Sequence, residues 1–426
     1  MATTEYPHVL IIGAGMSGLT LAHQLKRHNV SFSIFERDPD TDARSQGWAL
    51  SLFGPALAEI EATMVPELGP LEQASHLTPL ELPAQFVFYD ITKPEMRVGV
   101  TSDDTGKIVR CNRQRLRDWL LQSIDVEFGK RLLRVEEKAD KVTAHFEDGT
   151  SATGDILIGA EGTRSVVRKH ILKGKDIMKP LPLGSLVGEV QLSGEAFGEQ
   201  LSLAHSGQII MDSTLASRDQ CAVFAALNKV SDDGKTGDYY FILLWVDENA
   251  PKTTDESPVW TVNASKEQLA AFAREKTRSY PAHLRQLIDN VPIEGYKSLG
   301  FQLQGVELMA DQLPAGRVMV IGDAAHSMTP FRGEAGVCAF MDALKLGRTL
   351  AQVQAAGANG PELEKLMAEF RDDMIKRGAW AIEVSNPVLE DYGRYANYKF
   401  GTFGKEAAAM PPAEPISVRS LVRKTR

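Results

Sequence analysis

Two glycine-marked segments carry the chemistry most readable in this chain. The first, Val9-Leu-Ile-Ile-Gly13-Ala-Gly15-Met-Ser-Gly18, places glycines in the pattern G-x-G-x-x-G. Gly13 permits a tight turn, Gly15 lets backbone approach a pyrophosphate, and Gly18 lets a following helix pack closely on a sheet. The second, Val318-Met-Val-Ile-Gly322-Asp323-Ala-Ala-His326, delivers a carboxylate from the end of an apolar strand. A further carboxylate, Glu36, closes the apolar run Phe32-Ser-Ile-Phe35, where it can accept hydrogen bonds from both hydroxyls of a ribose. Phosphates fit the positive end of the helix that follows Gly15.

The elements that must hold these groups follow from the pattern of apolar residues. Val9 to Ile12 reads as a strand, Leu19 to Lys26 as an amphipathic helix, and Phe32 to Phe35 as a second strand, which together make a βαβ opening. Arg113 to Ile124 reads as a helix leading into strands, and Asp148-Gly149 marks a hairpin between Val142–Phe146 and Asp155–Ile158. Alternating segments such as Gln85–Tyr89 and Tyr239–Trp245, separated by polar turns, predict a sheet over 83–100 and 183–296. Helical patterning dominates from Asp342, through Glu362 to Asn386. The basic end, Arg419 to Arg426, reads as a solvated tail.

Bulk properties set limits. The chain has 426 residues, 43% hydrophobic, enough for two or three domains. Its net charge of -9 argues against a general nucleic-acid binder. Cys111, Cys221 and Cys338 lie far apart without C-x-x-C spacing, so no disulfide framework or zinc site is expected and a reducing compartment fits. No apolar run approaches the ~20 residues of a membrane span, and residues 1–7 lack a signal pattern, so the expected location is cytoplasmic.

Two further motifs extend the reading. Gly159-Ala160-Glu161-Gly162-Thr-Arg164-Ser165-Val-Val-Arg168 follows a strand, and Gly322-Asp323-Ala-Ala-His326 continues into Pro330-Phe331-Arg-Gly333-Glu-Ala-Gly336. Between Glu36 and Gly159, Arg113-Gln-Arg-Leu116 has the form R-x-x-L. In these motifs and their order, the chain resembles the group A FAD-dependent monooxygenases, the p-hydroxybenzoate hydroxylase-like family. The resemblance implies an α/β fold, with a Rossmann-like FAD-binding domain, an inserted β-sheet substrate domain and a helical C-terminal region. On that basis residues 1–75, 103–178 and 299–350 form the FAD domain, 76–102 and 179–298 the substrate domain, and 351–426 the C-terminal region.

The same resemblance implies FAD and NADPH (or NADH) as cofactors. It also implies a flavin C4a-(hydro)peroxide that inserts one oxygen atom of O2 into an aromatic or other apolar small molecule, by hydroxylation or epoxidation, in secondary metabolism. Gly13, Gly15, Gly18, Glu36, Arg44, Gly47, Arg113, Glu161, Asp323, Pro330, Gly333 and Gly336 are then the cofactor-binding candidates. Asp323 would meet the ribityl chain, and backbone N–H groups near Gly333 and Gly336 would stabilise charge on reduced flavin. No side-chain acid or base is required for oxygen transfer, so no catalytic residue is nominated. His326 is expected to order its turn.

Arg164 and Arg168 are candidates for attracting the NADPH phosphate, with surface salt bridging the equal alternative. Trp48, Met211, Phe224, Trp245 and Phe331, together with Phe88, are candidate walls of a substrate cavity, although aromatic alternation in a strand also serves packing. Two positions depart from the family pattern. Glu161 replaces the usual aspartate, and Ala335-Gly336-Val337-Cys338 lacks the polar residue often found there. They leave open a reductase or redox-neutral cyclase on the same fold, and a non-enzymatic binding protein of that fold is the alternative from another class. No W-x-W pair occurs, which counts against a halogenase.

Overall fold

The computed structural model describes residues 6–64, 68–103, 106–212, 214, 221–247, 249, 259–299, 303–385, 407–418 and 421. Apolar runs that end at or near glycine build the centre of its first sheet. The strands Val318–Val320, Ile156–Gly159, His8–Ile12, Ser31–Phe35 and Val126–Glu127 lie side by side in that order, all parallel. Their registers pair Ile12 with both Gly159 and Phe35, and Gly159 with Val320. The carboxyl ends are therefore level, and the three glycine motifs and Glu36 emerge along one edge, where ligands of open parallel sheets bind. Helix Met16–Arg27 lies against the 23-residue helix Glu334–Ala356; a methyl group on Gly347 would stand 2.4 Å from the Gln24 side chain.

A second, eight-stranded sheet is largely antiparallel. Its order is Tyr296–Lys297, Leu183–Ser193, Thr236–Val246, Cys221–Val230, Gly207–Met211, Gln85–Asp90, Arg97–Thr101 and Ala408–Met410. The central strands alternate faces. Val223, Leu227, Tyr239, Phe241, Leu243 and Trp245 turn toward a buried core shared with helices Gly194–Leu203, Lys266–Lys276 and Ala282–Asn290. Phe224 and Tyr240, on the opposite face, look toward the first sheet. A two-stranded ribbon, Ala49–Phe53 with Ile108–Asn112, fills the layer between: Leu52, Val109 and Cys111 join the nucleotide-side core, while Phe53 and Ile108 pack toward Phe86 and Val100.

Three details differ from the sequence reading. The hairpin at Gly149 (φ 83°) joins Val142–Phe146 to Ser151–Gly154, whereas Ile156–Gly159 has already entered the parallel sheet. The chain beyond 351 is not wholly helical. Ala408–Met410 adds the last strand to the large sheet, and Ile416, Val418 and Leu421 pack on its helix-side core. Within the expected tail, Leu421 accepts a hydrogen bond from Glu81 N–H at 3.0 Å; most of the remainder of 419–426 lies outside the described residues. Among the described residues no helix is long and apolar enough to cross a membrane.

Candidate active site

The glycine turn after His8–Ile12 has no room for side chains where the chain folds on itself. Gly13 takes φ 103°, and a methyl group there would lie 2.6 Å from the Ala160 carbonyl oxygen. On Gly18 it would lie 1.9 Å from the Gly13 carbonyl oxygen. Gly15 contrasts with both, because its methyl position is open, with nothing within 4 Å. That opening at the start of helix Met16–Arg27 is the shape a pyrophosphate needs, with the positive helix end beside it. Glu36 closes the same turn. Its Oε2 accepts from Ala14 N–H at 2.9 Å and its Oε1 from Asp38 N–H at 3.0 Å.

The floor of the cleft comes from the other strand ends. Gly322 has φ 61° and ψ -142°, a conformation essentially confined to glycine, and a methyl group there would meet Ser17 Oγ at 2.4 Å. It delivers Asp323 to the edge. Arg113 begins helix Arg113–Leu121, whose start is held by Asn112, the side chain accepting from Arg115 N–H at 3.1 Å. The Arg113 guanidinium passes over Gly47 (φ 85°), 3.5 Å from where a methyl group would sit.

Asp323 and Arg113 both open to the cleft, yet protein surrounds them closely enough to perturb their charges. Burial raises the Asp323 carboxyl pKa, with His326 and Arg113 pulling it back. Burial lowers the Arg113 pKa, opposed by Asp323. Among the described residues the Arg113 guanidinium has no hydrogen bond or salt bridge. Arg44 is already paired, its Nε 2.9 Å from Asp38 Oδ2, and stands half-exposed at the mouth.

Pro330 opens the short turn Pro330–Arg332, and Gly333 (φ 71°) leads into helix Glu334–Ala356. Gly336, in the first turn, has only Leu50 near its methyl position, at 3.7 Å. Glycines at a helix start thus leave backbone N–H groups accessible beside a positive helix end. His326 is buried behind the cleft, its Nε2 2.6 Å from Asp342 Oδ2, while Arg377 and Gly322 N–H hold the same carboxylate at 2.9 Å. Burial opposes charge on His326, but Asp342 outweighs it and raises the imidazole pKa. The histidine therefore orders the turn. Cys338 is buried, and burial pushes its thiol pKa up, as befits packing rather than redox work.

Two expectations for the Gly159–Arg168 motif are corrected. Glu161 does not present its carboxylate to the cleft: Oε2 accepts from Ser165 Oγ at 2.7 Å and Oε1 from Val167 N–H at 3.0 Å, anchoring helix Val166–Ile171. Its backbone, with that of Ala160, backs the Gly13 turn. The extra methylene is absorbed by this capping. Arg168, only 1% exposed, donates to the Ala324 carbonyl at 3.0 Å and to the Thr163 carbonyl, so it ties its own motif to the one that carries Gly322 and Asp323 and is not free for a phosphate. Arg164 is exposed.

Across the cleft, Trp48 stacks on Tyr240 with centroids 5.0 Å apart and donates from Nε1 to Glu189 at 2.7 Å. Phe224 meets Tyr240 edge-on, and Phe88 and Met211 share its face by register. Trp245 is corrected. An odd number of residues from Tyr240, it points to the opposite face and packs on Trp260 and Phe272. The Phe331 side chain lies outside the described residues.

Three further residues belong here and escaped the sequence reading. Arg117 is buried and donates to the carbonyls of Ala14 and Thr41, bracing the glycine turn. Tyr240 and Arg110 meet at 2.7 Å on the sheet side. The spacing of Arg110, Arg113 and Arg117 on either side of a strand-to-helix switch was the available signal.

Comparisons with known proteins bear on this geometry. A family model described as FAD binding domain matches residues 93–372, and one described as NAD(P)-binding Rossmann-like domain matches residues 11–50. The chain is 37% identical over 388 residues to the FAD-dependent monooxygenase thnD of Trichoderma harzianum, covering 90% of this chain and 93% of that one. Its fold resembles Klebsiella pneumoniae HpxO, solved with FAD and uric acid, with TM-score 0.69, 20% identity and coverage of 91% and 89%. It also resembles 2,6-dihydroxypyridine-3-hydroxylase from Arthrobacter nicotinovorans, with TM-score 0.68, 20% identity and coverage of 91% and 93%.

Proposed function

The chain belongs to the FAD-binding-domain family of FAD-dependent monooxygenases, and on that premise we propose that it draws electrons from NADPH or NADH and inserts one oxygen atom of O2 into an aromatic or other apolar small molecule. Hydroxylation is the leading outcome, epoxidation the next, and the setting a cytoplasmic tailoring step in secondary metabolism. The observation that carries the reading is the convergence of Gly15, Glu36 and Asp323 on one sheet edge, within electrostatic reach of Arg113 and opposite an aromatic wall.

The residues present fit FAD. The open position at Gly15 suits the pyrophosphate, Glu36 suits ribose hydroxyls, and Asp323 suits a ribityl hydroxyl, since an ionised carboxylate accepts such bonds strongly. Arg113 brings a positive charge that nothing else in the described cleft pairs directly. When bound, FAD supplies electron transfer and oxygen activation. The protein's share is placement. The helix start at Gly333–Gly336 favours negative charge nearby, and Trp48, Tyr240 and Phe224 exclude water while admitting an apolar ring.

The test is turnover under 18O2 with NADPH or NADH, screening hydroxyaromatic, enolic and alkene substrates by mass spectrometry. One labelled oxygen per product molecule is expected. Products formed without label would replace this reading by a reductase or cyclase.

A further inference from the structure

Trp48 crosses from the cofactor wall of the cleft to the large sheet. Its backbone belongs to the cofactor side: the carbonyl accepts from Arg113 N–H at 3.1 Å, and Gly47 before it (φ 85°) lies under the Arg113 guanidinium. Its indole ends on the sheet. There Tyr240, Glu189 and Lys297 stand on three neighbouring strands, with Glu189 directly opposite Tyr240 in register. Trp48 and Tyr240 stack with 17° between their ring planes, and Lys297 Nζ lies 5.5 Å from the indole centroid. Glu189 Oε1 accepts from both the indole Nε1 and Lys297 Nζ, each at 2.7 Å.

This seat differs from that of a core tryptophan. Trp119 and Trp245 are 4% and 8% exposed, whereas Trp48 is only half-buried. The Glu189 and Lys297 side chains keep 40% and 48% of their surface in water. Exposed ion pairs and single cation–π contacts are each weak, so the seat holds the indole reversibly. The chain leading to Trp48 is pinned on the cofactor side, where Arg117 donates to the Thr41 carbonyl at 3.0 Å and Arg44 pairs with Asp38. Residues 42–45 between are exposed. The indole is therefore the tip of a loop that starts on one wall of the cleft and closes on the other, beside Arg113.

We propose that Trp48 is a latch across the cleft, and that Glu189 is the positioning residue that sets how readily it opens, by holding the indole N–H and the Lys297 ammonium on one oxygen. The inference rests on the monooxygenase reading and adds to it a means of closing the site. Such a closure keeps water from the reacting centre and governs the exchange of ligands. Every contact of the latch is made by the protein itself, so it forms alike with the cleft empty or filled. Loosening it speeds entry and exit together and leaves equilibrium affinity unchanged. Damage to a binding wall would change the affinity instead.

The test is stopped-flow binding of FAD to the full-length apoprotein, followed by flavin fluorescence, with both rate constants taken from the dependence on FAD concentration. Trp48→Phe keeps a ring on Tyr240 but loses the N–H, and Glu189→Gln loses the charged pair with Lys297. Each should raise the association and dissociation rate constants together by about threefold to tenfold, with Kd unchanged. Lys297→Met should raise them less. Unchanged rates, or faster dissociation alone with a weakened Kd, would overturn the inference. Should Trp48→Phe not fold, Glu189→Gln carries the test, because its side chain is largely in water. A second readout needs no cofactor. In protein carrying 5-fluorotryptophan, a single 19F resonance should broaden or shift in Glu189→Gln and in Lys297→Met alike, and resonances that all stay in place would count against the latch. A wild type that binds no FAD would defeat the monooxygenase reading, leaving the latch to be judged on the 19F resonance. FAD bound at rates that both substitutions leave unchanged would defeat the latch alone.

Discussion

Two walls bound the cleft, and they are made by different means. On the parallel-sheet side the surface is mostly backbone: Gly13, Gly18 and Gly322 sit where an added methyl group would fall 2.6, 1.9 and 2.4 Å from another atom. On the large-sheet side the surface is side chains: Trp48, Tyr240, Phe224 and Arg110, held to one another by stacking, a hydrogen bond and cation–π contact. A backbone wall tolerates no insertion, which suits a constant ligand such as a dinucleotide. A side-chain wall can be altered one residue at a time, and such a wall can discriminate among variable substrates.

Substitutions can break or sharpen that contrast. The largest effect is expected from Gly18→Ala, which drives a methyl group into the Gly13 carbonyl. It should cost above about 4 kcal/mol and leave little FAD-binding protein, as scored by flavin retained on purification. Next is Trp245→Ala. Buried on the helix-covered face, it should destabilise by about 3–4 kcal/mol in urea titration while leaving substrate affinity alone. Phe224→Ala should do the reverse, with a raised KM and a smaller stability loss. If Trp245→Ala shifted KM and Phe224→Ala did not, the two faces of the sheet would be wrongly assigned.

Arg113→Ala should weaken FAD binding by about tenfold to a hundredfold, in line with losing one charge-assisted contact. Gly15→Ala is the finer probe. With nothing within 4 Å of the new methyl group, the melting midpoint should hold while FAD affinity falls by about tenfold. A lowered midpoint with unchanged affinity would deny Gly15 its place beside the pyrophosphate.

The smallest effect is a pH dependence. The His326 pKa is raised from its ordinary 6.5 and the Asp342 pKa lowered from its ordinary 3.8. The pair's contribution is therefore full between those values. It is lost as pH rises through the raised histidine pKa, and again as pH falls through the lowered aspartate pKa. The stability gap between wild type and His326→Gln should shrink by on the order of 1 kcal/mol from pH 6 toward pH 9. A gap independent of pH would mean an uncharged pair.

What could be read from the sequence follows the same division. The Gly13–Glu36 unit was legible because its constraints are local: glycines where the turn needs them, apolar runs of strand length, and a carboxylate at the next strand end. Trp245 was not. Alternation from Tyr239 to Trp245 says that the strand has two faces, but only the helices over Lys266–Lys276 and Ala282–Asn290 decide which face is covered. Glu161 carried the right charge at the right motif, and the contact with Ser165 and Val167 that turns it inward depends on how the next helix begins. Ala408–Met410 offers no β signal of its own, since its pairing with Arg97–Thr101 is a contact across some 300 residues. Arg110 and Tyr240 come together only when the ribbon meets the large sheet.

The central claim is that this cleft holds an FAD that NADPH or NADH can reduce. The most direct measurement is the visible spectrum of the purified, FAD-reconstituted protein under anaerobic conditions, before and after adding each nicotinamide, with and without a screened substrate. An oxidised-flavin spectrum that bleaches on addition is the predicted result. Failure to retain flavin, or flavin that stays oxidised with both nicotinamides under every condition, would contradict it.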